Sequence, residues 1–130
     1  VKGANIFIGL SKPGLLTKDM VKSMDDKPII FALANPTPEI MPDEAMAAGA
    51  YIVATGRSDY PNQANNSLVF PGLFRGVLEA NIPQFKIEMF GAVAQTIADA
   101  VVDLGPQKIL PGMFEDRIVT LVTETVKKLA

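Results

Sequence analysis

Apolar positions follow two regimes along the 130 residues. Up to about residue 55 they form short unbroken runs: ANIFIGL (4–10), PIIFALA (28–34) and AYIVAT (50–55). Runs of this length, rich in β-branched and aromatic residues and bounded by Gly, Pro, Asn and Asp, predict buried strands. Two short helical segments stand between them. Thr17 is placed to cap the first, with Leu16 just ahead and Met20, Val21 and Met24 on its apolar face. Pro42, Asp43 and Glu44 suit the first turn of the second, because proline lacks the N–H that would go unpaired there and acids complement the helix dipole. Gly49 suits its left-handed end. Connections of this length between strands imply parallel pairing with right-handed crossovers, and unbroken runs imply that both sheet faces are covered. The pattern predicts half of a doubly wound α/β sheet.

Beyond residue 66 the spacing changes to three and four, the period of helices. SLVFPGLFRGVLEAN (67–81) is apolar-rich, and Pro71 with Gly72 predicts an irregular start. From Ile87, one face carries Ile87, Phe90, Ala94, Ile97, Val101 and Leu104, with Gly105 and Pro106 as the stop. A last helix from about Glu115 places Ile118, Leu121, Val122, Thr125 and Leu129 on one face, with Glu115 and Asp116 early and Lys127 and Lys128 late, as the dipole favours. The six methionines read as core filler.

Composition narrows the function more by exclusion than by signature. Twelve basic and 14 acidic residues leave a net charge of −2, with no basic stripe of the kind nucleic acid requires. No apolar run reaches the length of a membrane span, and no leader-like segment is evident. With cysteine also absent, the expectation is a cytoplasmic protein that forms no disulfide within this chain. Histidine is absent too, so proton transfer by this chain would fall to Asp, Glu, Lys or Tyr. No carboxylate cluster has metal-ligand spacing, and no GxGxxG turn is present.

Candidate chemistry gathers in three loops that leave strands. GLSKPG (9–14), ANPTPE (34–39) and ATGRSDYPNQANN (54–66) each begin with small residues and continue with polar ones. In open α/β sheets, ligands bind beyond the carboxyl ends of the strands. Turn chemistry alone explains any one such loop. Three at one sheet edge favour a binding site, and the third, at 13 residues, is longer than a connection needs. Asn66 could cap the following helix, or the Asn65-Asn66 pair could hold a carboxylate or carboxamide. Arg57 could pair with an anion or with Asp59, and Arg75 reads as a solvated or salt-bridged residue.

IIFALANPTPEI followed by AYIVATGRSDYPNQANNSLVFPGLFRGVL closely resembles the bacterial-type malic enzymes. The likeness covers nearly the whole chain and is most specific from Pro28 to Leu78. It implies a Rossmann-like fold, with residues 1–130 as the C-terminal part of an NAD(P)-binding domain followed by C-terminal helices. The implied reaction is oxidative decarboxylation of malate to pyruvate and CO2 with NAD or NADP. Mg or Mn is implied as well, bound by ligands outside this chain, as are the catalytic acid and base. The resemblance assigns Gly9, Leu10, Ser11, Asn35 and Asn65 to the cofactor, and Asn35 and Asn66 to malate. It places no catalytic residue and no metal ligand in this chain. Glu88-Met89 keeps the family's later helix motif, whereas Phe90-Gly91 departs from it. The expected partners are malate and pyruvate, together with a second copy or the N-terminal catalytic portion covering the half-sheet; nucleic acid and membrane are not expected. Two readings compete: a non-catalytic α/β regulatory or assembly domain, and another nicotinamide dehydrogenase such as an amino acid dehydrogenase. The paired asparagines and the FPG run argue against the latter.

Overall fold

The computed structural model describes all 130 residues, folded as two compact units. The first comprises Val1–Asn65 with Gly105–Lys108, and the second comprises Asn66–Leu104 with Ile109–Ala130.

The first unit is a three-stranded sheet in the order β1 (Ile6–Gly9), β2 (Ile29–Ala32), β3 (Ile52–Thr55), all parallel. The register aligns Gly9, Ala32 and Thr55 at the carboxyl edge. Helix α1 (Lys18–Lys22) follows β1, and Thr17 caps it as expected, its hydroxyl accepting from the Met20 N–H at 3.2 Å. Helix α2 (Pro42–Ala47) follows β2, with Pro42 in its first turn and Gly49 just past its end at φ +107°. The core of this unit joins Leu16, Val21 and Met24 to Ile30, Ala32, Ala45 and Val53.

Only one face of the sheet is closed in this way. On the other, β1 leaves Ile6 53% and Ile8 67% exposed, so the expectation of cover on both faces fails at this strand. Sequential strands with same-handed crossovers place both helices on one side; α1 and α2 touch one another accordingly. Two methionines also depart from the core-filler reading: Met20 and Met46 are exposed, whereas Met24 and Met89 are buried.

The second unit is helical: a 3-10 turn Asn66–Leu68, then α3 (Phe70–Glu79), α4 (Ile87–Asp99) and α5 (Asp116–Lys127). The segment does start with that 3-10 turn, but Pro71 and Gly72 do not interrupt it: both lie inside α3, with Pro71 in its first turn, where proline is tolerated. Val69 is the cap residue of α3 and no side chain caps it, which overturns Asn66 as its cap. Helices α3 and α5 pack closely because Gly72 and Gly76 have no side chain. A Cβ there would lie 2.6 Å from the Val122 Cβ and 2.7 Å from the Val126 Cβ, respectively. Helix α4 buries Met89, Val93 and Ile97, with Ala100 at its end, and not the face read from the sequence. Of that predicted face, Ile87 is 78% and Leu104 75% exposed, and only Ile97 is buried. The helix also stops at Asp99, short of Gly105-Pro106. The face of α5 is nearer to expectation: Ile118 and Val122 are buried, joined by Thr123 and Val126, while Leu121 is turned outward.

Candidate functional site

The three strand-leaving loops of the first unit emerge at the aligned edge formed by Gly9, Ala32 and Thr55. The first two are held by one shared polar tie and the third closes on itself.

The first loop, Gly9–Ser11, is tied to the second by Glu39. This glutamate is 0% exposed. One carboxylate oxygen accepts the Ser11 N–H at 2.7 Å and the other accepts the Ala34 N–H at 3.1 Å. Gly9 is required beside it: a Cβ there would fall 2.5 Å from the carboxylate carbon. Gly9 is therefore buried under the carboxylate, while Leu10 and Ser11 are exposed at the edge. In the second loop Asn35 is exposed and precedes a cis peptide bond to Pro36, and Pro38 and Glu39 turn back into the core.

The third loop closes on itself. Gln63 bridges Thr55 in parallel, and the Ala64 N–H donates to the Thr55 carbonyl at 2.8 Å. The buried Thr55 hydroxyl accepts the Arg57 N–H at 3.2 Å. Asn62 takes φ +57°, a conformation that asparagine tolerates better than most residues, and its amide donates to the carbonyls of Val53 at 3.1 Å and Pro106 at 2.8 Å. Asn65 is half-buried, its amide 3.5 Å from the Gly56 carbonyl. Arg57 forms the bidentate pair with Asp59 that the sequence allowed, at 2.9 and 2.7 Å. The hydrogen bond and charge of Asp59 raise the Arg57 pKa, and the same hydrogen bond lowers that of Asp59. The Tyr60 hydroxyl donates to Asp43 at 3.1 Å, which raises the tyrosine pKa.

An open cleft of about 350 Å³ runs between the second and third loops, lined by Ala34, Asn35 and Pro36 on one side and Gly56–Asp59 on the other. That is the lower range for small-molecule sites. A smaller cavity of about 200 Å³ behind the loop is lined by Pro42, Met46, Tyr60, Pro61 and Asn62, and includes none of the strand-end candidates.

The fold thus brings Gly9, Leu10, Ser11, Asn35 and Asn65 into one unit at or near one sheet edge. Asn66 opens the second unit and is exposed in the 3-10 turn. Arg75 pairs with Glu79 at 2.7 Å, the structural role foreseen for it. Sequence reasoning missed Glu39, Thr55 and Asn62. A glutamate that closes a two-proline turn reads as a surface residue, and the only available clue was its position between two strong apolar stretches. No three acidic side chains cluster as metal ligands. No helix is long and apolar enough to cross a membrane.

Comparison with known proteins agrees with this architecture. The family model described as "Malic enzyme, NAD binding domain" matches residues 1–130. The bifunctional malic/malolactic enzyme of Bacillus subtilis is 49% identical over 98% of this chain and 32% of its own length. The NAD-dependent malic enzyme of Geobacillus stearothermophilus is 45% identical over 100% of this chain and 27% of its own. The crystal structure of malic enzyme from Pyrococcus horikoshii superposes with a TM-score of 0.93 at 40% identity, covering 98% of this chain and 30% of that one. The chain spans about a third or less of the length of these relatives, and it belongs to the family of malic enzyme NAD-binding domains.

Proposed function

We propose that residues 1–130 form the C-terminal part of the NAD(P)-binding domain of a malic enzyme. In that role the chain supplies contacts for the nicotinamide and malate during oxidative decarboxylation to pyruvate and CO2. The observation that carries the reading is the aligned strand edge at Gly9, Ala32 and Thr55, with Asn35 and the 56–65 loop around one cleft.

The residues present suit the nicotinamide end of NAD or NADP. Small residues line the strand ends, so a flat ring can approach the backbone, and exposed Ser11 and Asn35 offer hydrogen bonds to a carboxamide. When bound, the cofactor supplies the hydride acceptor. The chain's own side chains would orient the reactants: Leu10, Ser11 and Asn65 would bind the nicotinamide end, and Asn35 and Asn66 would hydrogen-bond malate. Orientation of this kind lowers the entropic part of the barrier, and it discriminates against analogues that leave the amides unpaired. The residues do not fit Mg or Mn, because no acidic cluster exists. Metal binding and proton transfer therefore belong, in this reading, to other parts of the protein. The exposed Ile6 and Ile8 on β1 favour association with such a part or with a second copy. A cytoplasmic location accompanies the reading.

The test is Mn-dependent reduction of NAD and of NADP by malate in the full-length protein, with Asn66→Ala alongside. A fall of about tenfold or more in kcat/KM with folding intact is expected for the loss of a hydrogen bond to a charged substrate. If the wild type reduces neither cofactor, the non-catalytic α/β reading replaces this one.

A further inference from the structure

Glu39 is a buried acidic side chain that no lysine or arginine pairs with. It is 0% exposed, and none of the ion pairs of the structure includes it. Its two oxygens are instead shared between backbone N–H groups of two different loops, Ser11 at 2.7 Å and Ala34 at 3.1 Å. Its own carbonyl accepts from the Leu16 N–H at 3.2 Å, so its backbone is fixed as well. Gly9 leaves room for the carboxylate, whose carbon would lie 2.5 Å from a Cβ placed there.

A neutral residue could fill this space at lower desolvation cost, since an ionised carboxylate is among the most expensive groups to bury. Two features set it apart from an ordinary buried acid. It spans exactly the gap between Ser11 and Ala34-Asn35, the loops assigned above to the nicotinamide. And it sits within hydrogen-bond distance of both strand-end loops with no lysine or arginine paired to it.

We infer that Glu39, carrying its negative charge, is a positioning residue that sets the spacing of the two nicotinamide-facing loops and makes the site prefer the oxidised ring. The chemical basis is a change in charge. The oxidised nicotinamide is a pyridinium cation; it accepts a hydride, with both electrons of the broken C–H bond, and becomes neutral. A fixed negative charge at the strand edge stabilises the first form and not the second. This inference rests on the proposed function, because it takes the strand edge to be the nicotinamide site.

The test is equilibrium binding of NAD, NADH, NADP and NADPH to the full-length protein, followed by cofactor fluorescence or calorimetry, in the wild type and in Glu39→Gln. The variant keeps the shape, removes the charge, and turns one acceptor oxygen into a donor facing an N–H. The oxidised form should bind about tenfold more weakly, and the reduced form should be weakened several-fold less. A purely structural role would weaken both forms by one common factor, and that result overturns the inference while leaving the proposed function standing. A wild type that binds no nicotinamide nucleotide overturns both. If Glu39→Gln does not fold, Glu39→Asp decides. It keeps the charge but is one methylene too short to reach both loops, so both forms should weaken together with the oxidised preference retained. Unchanged affinity, or a lost preference, rejects the inference.

Discussion

Three glycines in this chain have no room for a side chain, and they divide the molecule in two. Gly72 and Gly76, in the helical unit, face valine side chains and the backbone carbonyls of Val119 and Thr123. Gly9, in the sheet unit, faces the carboxylate of Glu39. In the first case close approach brings apolar surfaces together, and Thr123 completes the contact by donating to the Gly72 and Val119 carbonyls at 3.2 and 2.8 Å. In the second it makes space for a charge. The same residue type therefore serves helix packing in one unit and makes room for a buried carboxylate in the other, and what tells them apart is the neighbour, not the glycine.

The largest effect on folding is expected in the helical unit. Gly76→Ala gains about 1 kcal/mol of helix propensity. It also puts a methyl 2.7 Å from the Val126 Cβ and 2.8 Å from the Thr123 carbonyl oxygen, a backbone atom that cannot swing away. Overpacking of this kind costs about 1–3 kcal/mol and more when helices must separate. A net destabilisation of about 2 kcal/mol is expected in urea unfolding, with nucleotide affinity unchanged while the protein remains folded. A variant as stable as the wild type would show that α3 and α5 can part freely, and the contrast with Gly9 would lose its basis.

Next comes Asn62→Ala in the sheet unit. It strips two carbonyls, those of Val53 and Pro106, of their donor and places alanine at φ +57°. The bond to Val53 is buried whereas Pro106 is exposed to water, so the cost falls mainly on the first; a buried acceptor left unpaired costs about 1–3 kcal/mol, and a loss of about 1.5 kcal/mol is expected. Unlike Gly76→Ala, it should also weaken nucleotide binding, because the loop that it anchors borders the cleft. Equal affinity in wild type and variant would show that the loop anchor and the cleft are independent.

The smallest effect belongs to Tyr60→Phe, which removes an exposed hydrogen bond to Asp43. That bond raises the tyrosine pKa, so its contribution is full below the ordinary tyrosine value of about 10 and disappears as pH rises through the raised one. The stability difference between wild type and Tyr60→Phe should therefore be small at neutral pH and shrink further in alkali. A difference that grows with pH contradicts the assignment.

How much of this was visible in the chain beforehand depends on whether a residue's partner is near it in sequence. Thr17, Pro42 and Gly49 act within a few residues of themselves, and the sequence located all three. The strands were legible because β-branched residues in unbroken runs have few alternatives. Helix α4 was misread because it is apolar on more than one side: Met89, Val93 and Ile97, four apart, are as helical in spacing as Ile87, Phe90 and Ala94, three and four apart, and only packing chooses between them. Part of the rejected face is not wasted, since Phe90 stacks on Phe85, which meets Phe74 edge-on. Glu39 was invisible for the opposite reason. Its donors lie 28 and 5 residues away, and nothing local distinguishes a buried carboxylate from a turn acid. The family resemblance supplied Asn35, Asn65 and Asn66, but it said nothing of Glu39.

The self-closing third loop has a consequence for how this chain can vary. Because Gln63 is stitched back to Thr55, the segment between them is a detour whose two ends are fixed side by side. Its outermost residues, Arg57 to Asp59, mainly hold one another. Residues can be exchanged or inserted at that tip without altering where the chain re-enters the fold, so Asn65 is insulated from drift at the tip. The loop is a place where a lineage can adjust the rim of its cleft while its floor stays fixed.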